Sequence, residues 1–216
     1  MKIDTLIDSG NIYFMSDLHY NHANVLKMDD RGFSDIGAMN SYIENTLQDT
    51  LKPGDILFDL GDLFWSCDVS VCKKVLNKIK VSKFYKIIGN HDKPGLYFNQ
   101  APLRNYFTGG IYDTLEFCII GKDGKKYSIQ ASHYPILDYN GMYRGGLHLF
   151  GHTHGNIDQW VNNTPRLMVD LSYNGGLAKN LGTFIIPFQA ILDHFYNKTS
   201  GLDFNTWAKQ NDQNFY

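Results

Sequence analysis

At 216 residues the chain exceeds a minimal domain and falls short of two typical ones, so one large domain with a single core is expected. Hydrophobic residues make up 43% and charged residues 19%, which excludes a disordered chain and a coiled coil. A formal charge of -2 supplies none of the basic surface that non-specific duplex binding needs.

The first ordered segment, Asn11 to Ser16, is short and rich in aromatic and β-branched residues, and it predicts a strand running into Asp17-Leu18-His19. Ile36, Met39, Ile43, Leu47 and Leu51 then recur at helical steps, with Ser34 or Asp35 as the N-cap and Pro53-Gly54 closing a helix of about 15 residues. A second strand, Ile56 to Leu60, leads into Gly61-Asp62, and Val71, Val75, Leu76 and Ile79 mark a second helix with Asp68 near its start. A third strand, Phe84 to Ile88, ends in Gly89-Asn90-His91-Asp92, completing a β-α-β-α-β half with parallel strands.

Beyond that point the pattern is mostly β. Residues 111–120 and 125–131 flank a hairpin loop at Gly121 to Gly124. Further strands are expected at 147–150, 166–169 and 183–187, and a helix from Phe188 to about Asn197. No linker or charge run separates the halves, so residues 1–199 read as one domain and 200–216 as a tail docked through Phe204, Trp207 and Phe215.

Cys67, Cys72 and Cys118 are odd in number and form no C-x-x-C pair, so a reducing, cytoplasmic setting is expected. Met1 to Gly10 carries Lys2, Asp4 and Asp8 without a sustained apolar run, so no signal peptide is expected either. The most apolar stretch, 184–192, is far shorter than the roughly 18 residues of a membrane span, and Pro187 and Gln189 interrupt it.

Asp, His, Asn and Gly gather at strand ends in five places: Asp17-x-His19, Gly61-Asp62, Gly89-Asn90-His91-Asp92, His133, and Gly151-His152-Thr153-His154. Strand ends on one edge of a sheet are held side by side, so such loops can converge on one volume. Asp17, His19, Asp62, Asn90, His133, His152 and His154 are seven potential ligands, more than one catalytic zinc uses and enough for two ions sharing a carboxylate. Glycines 61, 89 and 151 directly precede ligand candidates, where a missing Cβ permits a sharp turn and close backbone approach.

D-x-H, G-D, G-N-H-D, H and G-H-x-H, in that order over residues 17 to 154, resemble the calcineurin-like metallophosphoesterases. The resemblance implies a four-layer α/β/β/α sandwich of two mixed β-sheets flanked by helices. It implies that Asp17, His19 and His154 hold one divalent ion and Asn90, His133 and His152 the other, with Asp62 bridging. It further implies hydrolysis by a hydroxide held between ions about 3.5 to 4 Å apart, with His91 outside the metal shell as the catalytic acid. Sulfur-free ligands admit Mn, Fe, Zn, Co or Ni, and the family makes manganese the first choice.

Protein phosphatases of this family extend G-D to G-D-x-x-D-R-G, whose Asp orients the catalytic His and whose Arg holds phosphate. Here Leu63-Phe64-Trp65-Ser66 follows Asp62, so a phosphoprotein phosphatase is disfavoured and Asp59, Asp68 and Asp92 become candidates to orient His91. Asp17-x-His19-x-x-His22-x-Asn24, Arg31-Gly32-Phe33 and Tyr143-Arg144-Gly145 look like a small subgroup of bacterial and phage phosphoesterases. His22, Arg31 and Arg144 are therefore candidate substrate-binding residues, and Tyr134, Tyr139 and Tyr143 candidate stacking groups. His148 reads as a core or supporting residue and His194 as a partly exposed helix residue.

The expected activity is a dinuclear metal-dependent phosphodiesterase acting on a small nucleotide or similar diester, with no membrane and no nucleic acid partner indicated. A phosphomonoesterase or nuclease of the same superfamily is the alternative. A non-catalytic binding module such as the retromer subunit of this fold ranks below both, because all seven ligand positions and His91 are present.

Overall fold

Two five-stranded sheets carry the computed structural model, which describes residues 3–65, 68–98 and 101–211. In chain order the elements are β1 (Leu6–Ile7), β2 (Ile12–Met15), α1 (Val25–Met28), α2 (Ile36–Thr50), β3 (Ile56–Asp59), α3 (Val69–Leu76), β4 (Lys83–Ile87), α4 (Pro94–Tyr97) and β5 (Gly110–Tyr112). There follow β6 (Thr114–Ile120), β7 (Lys126–Ser132), β8 (Leu147–Phe150), α5 (Asp158–Asn163), β9 (Met168–Asp170), α6 (Gly176–Leu181), β10 (Ile186–Pro187), α7 (Phe188–Lys198) and α8 (Phe204–Asn211).

The first sheet runs β10-β2-β3-β4-β5 with β2 to β5 parallel and β10 antiparallel; the second runs β1-β6-β7-β8-β9 with only the β6–β7 hairpin antiparallel. Both are mixed, and helices flank them. Helix α2 starts where the Asp35 carboxylate accepts the Ala38 amide at 2.9 Å, and it buries Met39, Ile43 and Leu47 completely on the outer face of the first sheet. Between the sheets, Phe58 stacks on Phe14, Tyr85 and Phe117, with centroids 4.9, 4.5 and 4.7 Å away. This ladder ties three neighbouring strands of one sheet to β6 of the other.

Several boundaries differ from expectation. The single β-rich run at 111–120 is two strands: β5 pairs with β4 in the first sheet, β6 pairs with β7 in the second, and the exposed Asp113 lies at the changeover. Alternation of apolar residues continues through β6, so periodicity carries no mark of the switch. The strand expected at 183–187 is confined to Ile186–Pro187, the one at 166–169 is Met168–Asp170, and β1 was not expected at all. Helix α8 seats Phe204 in the core against Tyr127 and Phe195. Phe215, Ser66 and Cys67 lie outside the described residues. Cys72 and Cys118 are free thiols, and no described helix is long and apolar enough to cross a membrane.

His148, on β8, belongs to the core. Its Nδ1 meets the Gln130 carbonyl at 3.0 Å and its Nε2 accepts the Ile136 amide at 2.9 Å, which uses both nitrogens of a neutral ring. Burial depresses its pKa to about 4, with the Gln130 carbonyl opposing weakly. An unfolded histidine titrates near 6.5, so the stability it supports is complete above that pH and is lost as pH falls toward 4. We predict that urea unfolding of metal-free protein shows about 2 kcal/mol of His148-dependent loss between pH 7.5 and 5. His148→Gln should lack that share, and an unchanged acid loss would contradict it.

Candidate metal centre

All five motif loops reach one edge of the sandwich, where β2, β3, β4, β7 and β8 end. Backbone pairing locks them together: the Asp17 amide donates to the Gly61 carbonyl at 2.9 Å, His19 to Asp62 at 3.0 Å and Gly151 to His133 at 3.0 Å. Five ligand candidates adopt the left-handed region, with φ of 56° at Asp17, 48° at His19, 57° at Asp62, 71° at His152 and 52° at His154. That conformation costs an ordinary L-residue roughly 1 to 2 kcal/mol, and Asp and His are among the types that adopt it most readily. A Cβ at Gly61 would strike the His133 ring, at Gly89 the Asp62 carboxylate, and at Gly151 both Ser16 and Asp17. The three glycines therefore stand where side chains of neighbouring loops occupy the space.

Two sets of donor atoms result. The Asp17 Oδ2 accepts the Ser16 hydroxyl at 2.6 Å and the His152 amide at 2.8 Å, which leaves Oδ1 buried without a hydrogen-bond partner. That oxygen lies 3.4 Å from His154 Nε2 and 3.7 Å from His19 Nε2, and the two imidazole nitrogens are 3.3 Å apart. Asp62 is divided in the same way: Oδ1 accepts the His91 amide at 2.8 Å, while Oδ2 lies 3.9 Å from His19 Nε2 and 3.5 Å from His133 Nε2. One carboxylate oxygen thus faces both sets. Asn90 Oδ1 completes the second, 2.9 Å from both His133 Nε2 and His152 Nδ1.

These atoms suit divalent cations. His133 Nδ1 faces the Leu60 carbonyl at 3.0 Å, so the neutral ring carries its proton there and turns a lone pair toward the Asn90 oxygen. Two lone pairs aimed at each other are stabilised by a cation between them. The orphaned Asp17 oxygen points to the same conclusion. Burial opposes ionisation of Asp17, but the facing His154 and His19 imidazoles hold its carboxyl well below the usual range. Burial pulls His154 down, yet the facing Asp17 and Asp29 carboxylates outweigh it and raise the ring to about 9.

The residues considered for orienting His91 do something else. Asp59 and Asp92 flank the buried Lys86 ammonium at 2.8 and 2.6 Å. Asp92 Oδ2 also accepts the Asp62 and Gly89 amides, each at 2.9 Å, and Asp59 accepts the Gly61 amide at 3.0 Å. Asp68 stands at the N-cap of α3 without a side-chain cap hydrogen bond. The His91 imidazole, exposed over the edge, hydrogen-bonds to no described residue. It packs instead on Trp65 at 4.4 Å, and Trp65 stacks on His22 at 3.7 Å with an interplanar angle of 5°.

Of the three residues expected to contact substrate, only His22 lines the cavity beside His19, His91 and His154. Arg31 is buried behind the centre, donating to the Leu18 carbonyl at 2.8 Å, the Asp17 carbonyl at 3.0 Å and Asp29 at 3.2 Å, with Tyr173 against its face. Its guanidinium serves the D-x-H backbone, because both terminal nitrogens are engaged there and the group is buried. Arg144 lies in a separate surface groove with Lys126 and Asn205, set there by packing of its turn against α8. Tyr134 leans on His152 at 4.4 Å, Tyr139 is buried and hydrogen-bonds the Leu167 carbonyl at 3.1 Å, and Tyr143 meets Arg166.

Three contributors went unrecognised in the sequence. Asp29 hydrogen-bonds His154 Nδ1, the nitrogen turned away from Asp17, and so fixes which nitrogen faces the centre. Asp170, at the end of β9, accepts Thr153 Oγ1 at 2.5 Å and the Gly155 amide at 2.8 Å, which braces the G-H-x-H loop. Trp65 is the third. A strand ending in Asp beside β8 was the available signal for Asp170; Asp29 and Trp65 carry no motif.

The family model for calcineurin-like phosphoesterases matches residues 10–171. An uncharacterised protein of Methanocaldococcus jannaschii is 34% identical over 95 residues, 44% of this chain and 54% of that protein, so the matched stretch spans about half the relative's length. The crystal structure of a protein of unknown function from Aquifex aeolicus superposes with a TM-score of 0.60 at 24% identity, covering 85% of this chain and 98% of the other, a likeness of fold.

The Asp29 contact generates a test. Asp29→Ala should weaken binding of one of two divalent ions about 10- to 100-fold in a calorimetric metal titration, the usual loss for an outer carboxylate on a ligating histidine. Unchanged affinity at both sites would remove Asp29 from the centre.

Proposed function

Because the chain belongs to the calcineurin-like phosphoesterase family, whose members hydrolyse phosphoesters with divalent metal ions, we propose that it is a dinuclear phosphodiesterase acting on a small nucleotide or similar diester. The observation that carries this reading is the single Asp62 oxygen facing two complete ligand sets. In it Asp17, His19 and His154 hold one ion, Asn90, His133 and His152 the other, and Asp62 joins them. Bound there, divalent ions would supply the Lewis acidity that acidifies water and neutralises phosphate oxygens, with manganese the first to supply.

The protein's own groups do the rest. His91 stands exposed beside the centre, with its backbone amide anchored on Asp62 and its ring against Trp65, in position to give a proton to the departing alkoxide. Ring packing takes the place that a carboxylate holds in the phosphatase motif. What favours a diester over a monoester is the missing cation: Arg31 is spent on backbone carbonyls, Arg144 is elsewhere, and no described Lys or Arg lines the cavity at His91. A monoester dianion, carrying one charge more, lacks a guanidinium partner there.

Manganese-supplemented hydrolysis of bis(4-nitrophenyl) phosphate beside 4-nitrophenyl phosphate tests the reading, and preference for the monoester would overturn the substrate class. His91→Ala should keep its metal content while turnover falls about 10²- to 10⁴-fold; wild-type turnover would remove His91 from the mechanism. Asp62→Asn should lose at least one metal by elemental analysis, along with activity.

A further inference from the structure

Two cavities leave the centre in different directions. The first, about 490 Å³, opens on the side of His19, His91 and His154 and is walled by Val25, Met28 and Trp65 with the amides Asn24 and Asn156. The second, about 450 Å³, opens from Asn90 and His133 and is walled by Ile88, Tyr134 and Ile136 with the hydroxyls Thr114 and Ser132. Met28 is 76% exposed and Tyr134 50%, so apolar surface stands open on both sides of the centre.

The charge of these walls is one-sided. No described Lys or Arg lines either cavity, whereas Asp29, held by Arg31 and His154, stands in the first and Asp113 in the second. Asp113 is exposed at the changeover from β5 to β6 and forms no hydrogen bond or ion pair with any described residue, so its charge is uncompensated. A substituent bearing a further phosphate would meet a carboxylate of like sign and no partner.

We infer that the substrate is a phosphodiester with one negative charge and two uncharged substituents of nucleoside or aryl size, one in each cavity, and that Asp113 rejects substituents carrying additional phosphate. This rests on the diesterase reading above. The proton donor assigns direction: His91 borders the first cavity, so the substituent there departs. Water's oxygen bonds to phosphorus as the P–O bond to that substituent breaks, and the departing oxygen takes a proton from His91, which recovers one from the attacking water through solvent. The product is a monoester retained in the second cavity. Its extra charge lies on the side of Asp113, which favours release over a second hydrolysis.

The test compares the 4-nitrophenyl ester of thymidine 5′-phosphate with the same diester carrying a 3′-phosphate, both with manganese. Each is hydrolysed by wild type and by Asp113→Lys, and each is titrated calorimetrically into metal-loaded His91→Ala. The added phosphate should lower kcat/KM and affinity at least about tenfold in proteins keeping Asp113, and Asp113→Lys should narrow the kcat/KM gap by about tenfold, more weakly at high salt. Equal handling of the two compounds, or a ratio that Asp113→Lys leaves unchanged, would overturn the charge filter. Failure to hydrolyse either compound would overturn the diesterase reading instead, while the calorimetric ratio still decides the filter.

Discussion

A lysine ammonium buried between two carboxylates holds this site together. Lys86 enters from the middle of β4, fully excluded from water, and meets Asp59 from β3 and Asp92 from the loop beyond β4. Burial alone would strip its proton, but the two facing carboxylates outweigh that and raise its pKa. The same carboxylates also accept the amides of Gly61, Asp62 and Gly89. Two loops carrying Asp62 and Asn90 are thereby fixed to one charge. Removing any member leaves the others buried and uncompensated, a defect of about 3 to 5 kcal/mol, so the triad acts as one unit.

The opposite flank uses a comparable device. Arg31 binds the carbonyls of Asp17 and Leu18 and the Asp29 carboxylate, and Asp29 in turn holds His154. Each set of ligands has its own buried cation behind it, and neither cation reaches the cavity at His91. Fixed support of this kind explains how five ligand candidates persist in left-handed backbone: pairing, ion contacts and close glycines over-determine the loops. Cation binding relieves facing lone pairs and an orphaned carboxylate oxygen, so metal and strained backbone are coupled contributions to one free energy.

With the cations spent internally, the face left for substrate is acidic and apolar outside the centre itself. Bound divalent ions would then be the main positive charge available to a phosphate. A centre of that type binds the phosphate by its metals and sorts substituents by size, stacking and charge repulsion. His91, held by an aromatic ring and free of any carboxylate partner among the described residues, fits the same economy of charge.

The five motifs were legible because ligand type and turn chemistry are local: Asp, His and Asn tolerate left-handed backbone, and the glycines before Asp62, Asn90 and His152 need no distant information. The parallel first half followed from short apolar strands alternating with amphipathic helices, and the two-sheet architecture followed from the family that the motifs resemble. Tertiary structure decided what each charge was for. Nothing in the sequence around Lys86 marks it as a buried charge, and Arg31 and Arg144 were both candidate phosphate ligands. Only the folded chain spends Arg31 on a backbone, turns Arg144 toward α8 and leaves Asp113 alone at a strand switch. The physical reason is range: a residue's conformational preference acts over a few neighbours, whereas its charge is paired by whatever the fold brings within about 4 Å, from any distance along the chain.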